Sequence, residues 1–111
     1  MPDYFFPQLT DLSELIQKWA ISKGFYDGGR VNDAEAIALM HSELSEWLEA
    51  VRHGNGPSEH IPEFTATEEE AADLLIRLLD QCAYRGMRIA EAVAAKMCFN
   101  EGRPYRHGKA F

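Results

Sequence analysis

Two pairs of acidic residues stand out for their spacing. Glu43 and Glu46 lie in His41-Ser-Glu-Leu-Ser-Glu46, and Glu70 and Asp73 in Glu70-Ala-Ala-Asp73. Three-residue spacing on a helix projects both carboxylates of a pair from adjacent turns of one side. Two such charges about 4 Å apart cost roughly 1 kcal/mol in water and about 4 kcal/mol at an effective dielectric of 20. Pairs that face each other therefore call for a divalent cation, and all-oxygen ligation favours Mg²⁺, with Mn²⁺ also suited, over Zn²⁺. The plain alternative is that each pair is a solvated helix face. Glu70 has a further structural alternative as the third residue of a Thr67-x-x-Glu70 capping box, although Thr65-x-x-Glu68 offers the same device.

A basic counterpart follows near the C-terminus. Lys96, Asn100 and Arg103 recur at steps of four and three and so share a helix face, with Arg106, His107 and Lys109 just beyond. One reading is a phosphate clamp, with Arg103 offering a planar fork and Lys96 a mobile point charge. The other is a basic last turn that complements the helix dipole. Trp19 and Phe25 suit stacking on a planar ligand or burial in a core. His41 suits orienting a carboxylate or water, or plain solvation.

Four segments with helical periodicity must position these groups, and none shows sustained strand alternation. The first runs from about Thr10 to Lys23, with Leu12, Leu15, Ile16 and Trp19 recurring at three- and four-residue steps, and has Asp11 and Glu14 as a candidate capping box. The second runs from about Asp33 to His53, opened by Asn32 with Glu35 three residues on. The third runs from about Thr67 to Arg85 and the fourth from about Ile89 to Glu101. Gly24, Gly54, Gly86 and Gly102 follow the four in turn. The stretch from Gly54 to Phe64 reads as a surface loop. If the second and third helices pack antiparallel, their acidic pairs face each other.

The third segment is apolar over an arc of roughly 200°, wider than a surface helix needs. Such a helix touches neighbours on more than one side. The expected architecture is therefore a single all-α domain over residues 1–111, a four-helix bundle-like protomer that assembles into a homo-oligomer, a dimer or a dimer of dimers.

Composition sets the remaining bounds. In 111 residues, 46% hydrophobic and 26% charged, there is material for one folded domain with one core. The formal net charge of −7 excludes a chain built mainly to grip nucleic-acid polymer or anionic lipid. Residues 1–84 hold 5 Lys/Arg and 16 Asp/Glu, whereas residues 85–111 hold 6 and 2. An acidic body with a basic tail suits a site that holds metal cations and an anionic ligand together. Cys82 and Cys98 sit among apolar neighbours and are expected as buried, reduced thiols of a cytoplasmic protein. The N-terminal residues lack the features of a secretion signal, and no apolar run approaches a membrane span.

Taken together, Glu43-x-x-Glu46, Glu70-x-x-Asp73 and Lys96-x-x-x-Asn100-x-x-Arg103-Pro104 resemble the MazG-like all-α nucleoside triphosphate pyrophosphohydrolases, in particular their small single-domain members. Gly24-Phe25, Glu70-Ala-Ala-Asp73-Leu-Leu-Ile and the closing Arg103-Pro104-Tyr105-Arg106-His107-Gly108-Lys109 add to the likeness, which spans roughly residues 12–111. The resemblance implies Mg²⁺-dependent hydrolysis between the α- and β-phosphates, giving a nucleoside monophosphate and pyrophosphate. It implies Glu43, Glu46, Glu70 and Asp73 as metal ligands. Lys96, Asn100 and Arg103 would contact phosphate or sugar, with Lys109 and Trp19 as further substrate contacts, in a site assembled from two subunits. Of the carboxylates, Glu43 and Glu46 are expected to carry the catalytic role, with Glu46, a metal ligand doubling as base, taking the proton of the attacking water. A di-iron carboxylate bundle needs Glu-x-x-His pairs, and no Glu here has a His at the third position. The competing non-enzymatic reading is a helical interaction or nucleotide-binding module whose acidic stripes are only solvated.

Overall fold

The computed structural model describes residues 3–29 and 32–110, so that Met1, Pro2, Arg30, Val31 and Phe111 lie outside the described residues. Four α-helices follow in order: α1 (Pro7–Ser22), α2 (Asp33–Arg52), α3 (Ala66–Tyr84) and α4 (Ile89–Glu101), with a short 3₁₀ turn over Tyr105–Gly108. Among the described residues there is no β-strand, only an isolated bridge between Pro57 and Thr65. The protein is all-α, as expected.

Local chemistry sets each helix start. Asn32 caps α2, its side-chain oxygen accepting from the Glu35 amide at 2.9 Å. α3 opens with a full capping box in which Thr65 Oγ1 accepts from the Glu68 amide at 3.2 Å and Glu68 Oε1 accepts from the Thr65 amide at 3.0 Å. That choice leaves Glu70 free of capping. α1 differs from expectation, because it begins at Pro7 with Phe6 at the N-cap and no side-chain cap. Proline in the first helical position has φ already set for a helix and no N–H to satisfy, so Asp11 and Glu14 lie inside the helix and form no capping box. At the other end of α1, Gly24 takes φ +85°, where a Cβ would also stand 3.0 Å from Asp27 Oδ2.

α3 is the central element, packed by α2 on one flank and α1 on the other. Leu79 and Cys82 of α3, Ala20 of α1 and Ala36 of α2 are buried. Small residues let the helices approach, and the buried Ser13 Oγ of α1 donates to the Leu79 carbonyl at 2.5 Å. Burial pushes the Cys82 thiol pKa up, whereas Cys98, also expected to be buried, is only half-buried on α4. Glu46 meets Glu70 while Glu43 meets Arg77, so residue numbers fall along α2 as they rise along α3 and the two helices run antiparallel.

The connection between them is more ordered than a plain surface loop. Asn55, at φ +51°, accepts the Thr67 amide at 3.0 Å. Buried Ser58 donates to Glu69 of α3 while its oxygen accepts the amides of His60 and Ile61. The loop is thereby clasped to the first turns of α3.

α4 rests on α1, and the expected bundle is open within one chain. The wide apolar arc of α3 is partly satisfied by α1 and α2 of the same chain, and so does not by itself require a second copy. Much apolar surface nevertheless stays outside. On α2, Ile37, Leu44, Leu48 and Val51 form one exposed stripe at helical spacing. Leu12 and Leu15 of α1 and Met97 and Phe99 of α4 are also exposed. The radius of gyration is 16.6 Å, against about 13 Å for a compact chain of this length. Accessible surface is 8425 Å², against about 6,200 Å² for a compact monomer of 12.6 kDa. No helix among the described residues is long and apolar enough to cross a membrane.

Candidate functional site

The α2–α3 hairpin brings the two acidic pairs together. Carboxylate oxygens of Glu43, Glu46 and Glu70 lie within 4.8 Å of one another, and a second group, Glu69, Glu70 and Asp73, overlaps the first through Glu70. Of the four acids expected to converge, three share one group, and Asp73 joins through Glu70 on the flank beside Glu69. No His or Cys takes part in either group among the described residues.

The electrostatics of the cluster are only partly relieved. Burial, followed by the proximity of Glu46, pushes the Glu70 carboxyl up to about 7. Asp73 is raised too, by burial and then by the charges of Glu43 and Glu69. At 4.8 Å and an effective dielectric of 20, one pair of like charges repels by about 3.5 kcal/mol. Arg77 supplies one counter-charge, its Nε 2.9 Å from Glu43 Oε1. It does not satisfy the whole group. Glu43 is only 6% exposed, yet its Oε2, like Glu70 Oε2, is buried without a hydrogen-bond partner. A buried carboxylate oxygen with no donor costs free energy. Two such atoms in one all-oxygen cluster fit a hard divalent cation, Mg²⁺ or Mn²⁺.

Glu69 is a different kind of acid. Its oxygens accept from Ser58 and pair with His60 Nδ1 at 2.7 Å, and those hydrogen bonds hold its pKa low while raising that of His60. Glu69 thus fastens the loop to α3. Spacing alone does not reveal it, because its partners lie 9 and 11 residues away.

A cleft of about 570 Å³ opens beside the cluster, bounded by α1, the turn after it, α2 and α3. Glu43, Asp73 and Arg77 line one part, Trp19 and Phe25 supply an aromatic wall, Asp80 and Gln81 lie further along α3, and Tyr26 faces them from the turn after α1. The rings of Trp19 and Phe25 are 6.1 Å apart at 42°, with 46% and 67% of each residue exposed. Of the two roles open to Trp19, core or stacking, its position at the cleft suits stacking. His41 is exposed on α2. A volume of this size, apolar on one side with a few convergent polar groups, is suited to a small-molecule ligand.

The basic set is elsewhere in the single chain. Lys96, Asn100, Arg103 and Lys109 do not line the cleft. Lys96 Nζ lies 4.6 Å from the centre of the Phe99 ring, and the Arg103 guanidinium 6.0 Å from the same centre. Asn100 Oδ1 is buried without a partner. Within one protomer α4 packs on α1, and the expected site, assembled from two subunits, does not require the clamp and the acids of one chain to meet.

Comparison of the chain with protein-family models, with characterised proteins and with solved structures finds no match.

Proposed function

We propose that this protein hydrolyses nucleoside triphosphates to nucleoside monophosphate and pyrophosphate with Mg²⁺, in the manner implied by its resemblance to the MazG-like pyrophosphohydrolases. The observation that carries the reading is the pair of buried, partnerless oxygens on Glu43 and Glu70, set in a carboxylate cluster that borders an aromatic cleft.

Glu43, Glu46, Glu70 and Asp73 would hold the metal. Bound there, Mg²⁺ supplies Lewis-acid polarisation of a phosphoryl oxygen and acidifies a coordinated water. The chain's own groups do the remainder. Trp19 and Phe25 stack on the base and fix the substrate in the cleft, so that the α-phosphate lies towards the carboxylates. Glu46, the exposed member of its group, accepts the proton of the attacking water. Water oxygen bonds to the α-phosphorus as the bond from that phosphorus to the bridging oxygen breaks, and pyrophosphate leaves with its charge met by cationic side chains. Among the described residues, Arg77 is the one such residue lining the cleft of the single chain. Lys96, Asn100, Arg103 and Lys109 join from a neighbouring copy in a dimer or dimer of dimers. The exposed apolar stripes and the excess of accessible surface support that assembly.

The test is pyrophosphate release from a panel of ribo- and deoxyribonucleoside triphosphates in Mg²⁺. Turnover is expected from the wild type and is abolished by Glu43→Gln and by Asp73→Asn, while circular dichroism shows unchanged helix content. Wild-type activity from either variant refutes the site. A helical binding module with solvated acids predicts no release from any triphosphate and no thermal stabilisation by Mg²⁺.

A further inference from the structure

Away from the acidic cluster the cleft is lined by a carboxylate of α3 that no metal role explains. Asp80 lies seven residues beyond Asp73 on α3, two turns and roughly 10 Å along the helix axis, and lines the same cleft. Tyr26 Oη donates to Asp80 Oδ1 at 2.8 Å. Gln81 Nε2 approaches Oδ2 at 3.4 Å, a long contact that leaves acceptor capacity on that oxygen. Gln81 is oriented in turn by Arg85, which donates to Gln81 Oε1 at 2.9 Å and also pairs with Asp33. A chain of side chains therefore holds Asp80 in place as an acceptor. The cationic groups nearest in sequence, Arg77 and Arg85, are both engaged with other carboxylates.

We infer that Asp80 reads the edge of the bound base and selects triphosphates whose base offers an exocyclic amino group, as cytosine and adenine do, over those offering a carbonyl there, as uracil and thymine do. The inference rests on the proposed nucleotide site and specifies its substrate class. With the phosphates towards Glu43 and Asp73 and the base against Trp19 and Phe25, the ribose spans the two turns of α3 and the far edge of the base meets Asp80. The cytosine amino group donates to a carboxylate oxygen, whereas the uracil carbonyl sets lone pairs against it. A fixed polar group left unpaired discriminates more strongly than a missing apolar contact.

Cytosine and uracil differ only in that edge, so the experiment compares them. Binding of CMP and UMP is measured by calorimetry on the wild type, on Asp80→Asn and on Tyr26→Phe, alongside the ratio of kcat/KM for CTP and UTP. The wild type is expected to favour the cytosine member by about tenfold or more. In Asp80→Asn the amide oxygen keeps the Tyr26 hydroxyl and the amide nitrogen becomes a donor, so the preference inverts towards uracil. Tyr26→Phe frees the carboxylate and narrows the wild-type ratio without inverting it. A purely structural role for the Tyr26–Asp80 bond would weaken both ligands equally. Equal binding of CMP and UMP by the wild type, or a cytosine preference retained in Asp80→Asn, overturns the inference. Failure of every triphosphate to release pyrophosphate overturns the proposed reaction instead, and the monophosphate comparison still decides the base preference.

Discussion

Glu43 and Glu70 each carry a buried oxygen without a hydrogen-bond donor, and this decides how the site responds to pH. The Glu70 carboxyl is pushed from 4.5 up to about 7, chiefly by burial and then by Glu46. Between those values the folded chain holds a proton that the unfolded chain has lost. Stability in the absence of divalent ions therefore falls as pH rises through that window. Mg²⁺ favours the ionised carboxylate, so its stabilising effect grows over the same interval. Thermal melts at about pH 5 and about pH 8, with a chelator and with saturating Mg²⁺, should show a shift in Tm on adding Mg²⁺ that is small at the lower pH and several degrees at the higher. A shift independent of pH would remove Glu70 from the cation site. Glu43, Glu46 and Glu70 are legible in the sequence because helical spacing fixes which carboxylates share a side. Tyr26 with Asp80, and Ser58 and His60 with Glu69, are not legible, because those pairs depend on how turns fold back on α3. Asp80 does belong to a visible strip of polar residues with Glu70, Asp73 and Arg77, but the strip alone does not say what each one faces.

Among the elements, α3 bears the cluster near its N-terminus, and its start is fixed by Thr65 and Glu68 together with the clasp from Asn55 and Ser58. Thr65→Ala removes the capping oxygen and should destabilise the protein by about 1 kcal/mol. Urea unfolding measures that cost directly, and a loss below a few tenths of a kcal/mol would show that the loop contacts alone define the helix start. The helices were readable from their periodicity and their glycine stops, and α2 and α4 end close to where those signals place them. α1 starts three residues before its expected first residue, because a proline at the first position replaces the side-chain cap that pattern reading looks for. The position of α4 was not readable. It is rich in alanine and apolar on several sides, so its sequence does not choose one partner face.

At the scale of the whole molecule, a single chain exposes more accessible surface than a compact domain of its mass, and Ile37, Leu44, Leu48 and Val51 of α2 lie on it. Sedimentation should find a dimer or larger species. Leu48→Arg, which sets a charge in the exposed stripe of α2, should shift the protein towards monomer and reduce turnover together. A monomeric wild type with full activity would exclude the shared site. The placement of α4 against α1, with Lys96, Asn100 and Arg103 apart from the carboxylates, carries a genetic consequence if two chains complete each centre. A chain with Glu43→Gln and a chain with Arg103→Ala are each defective in both halves of a pure dimer. Mixed and reassembled, they leave one of the two centres intact in every heterodimer, so roughly a quarter of wild-type turnover returns from random pairing. Two differently damaged copies of the gene would then rescue each other in one cell.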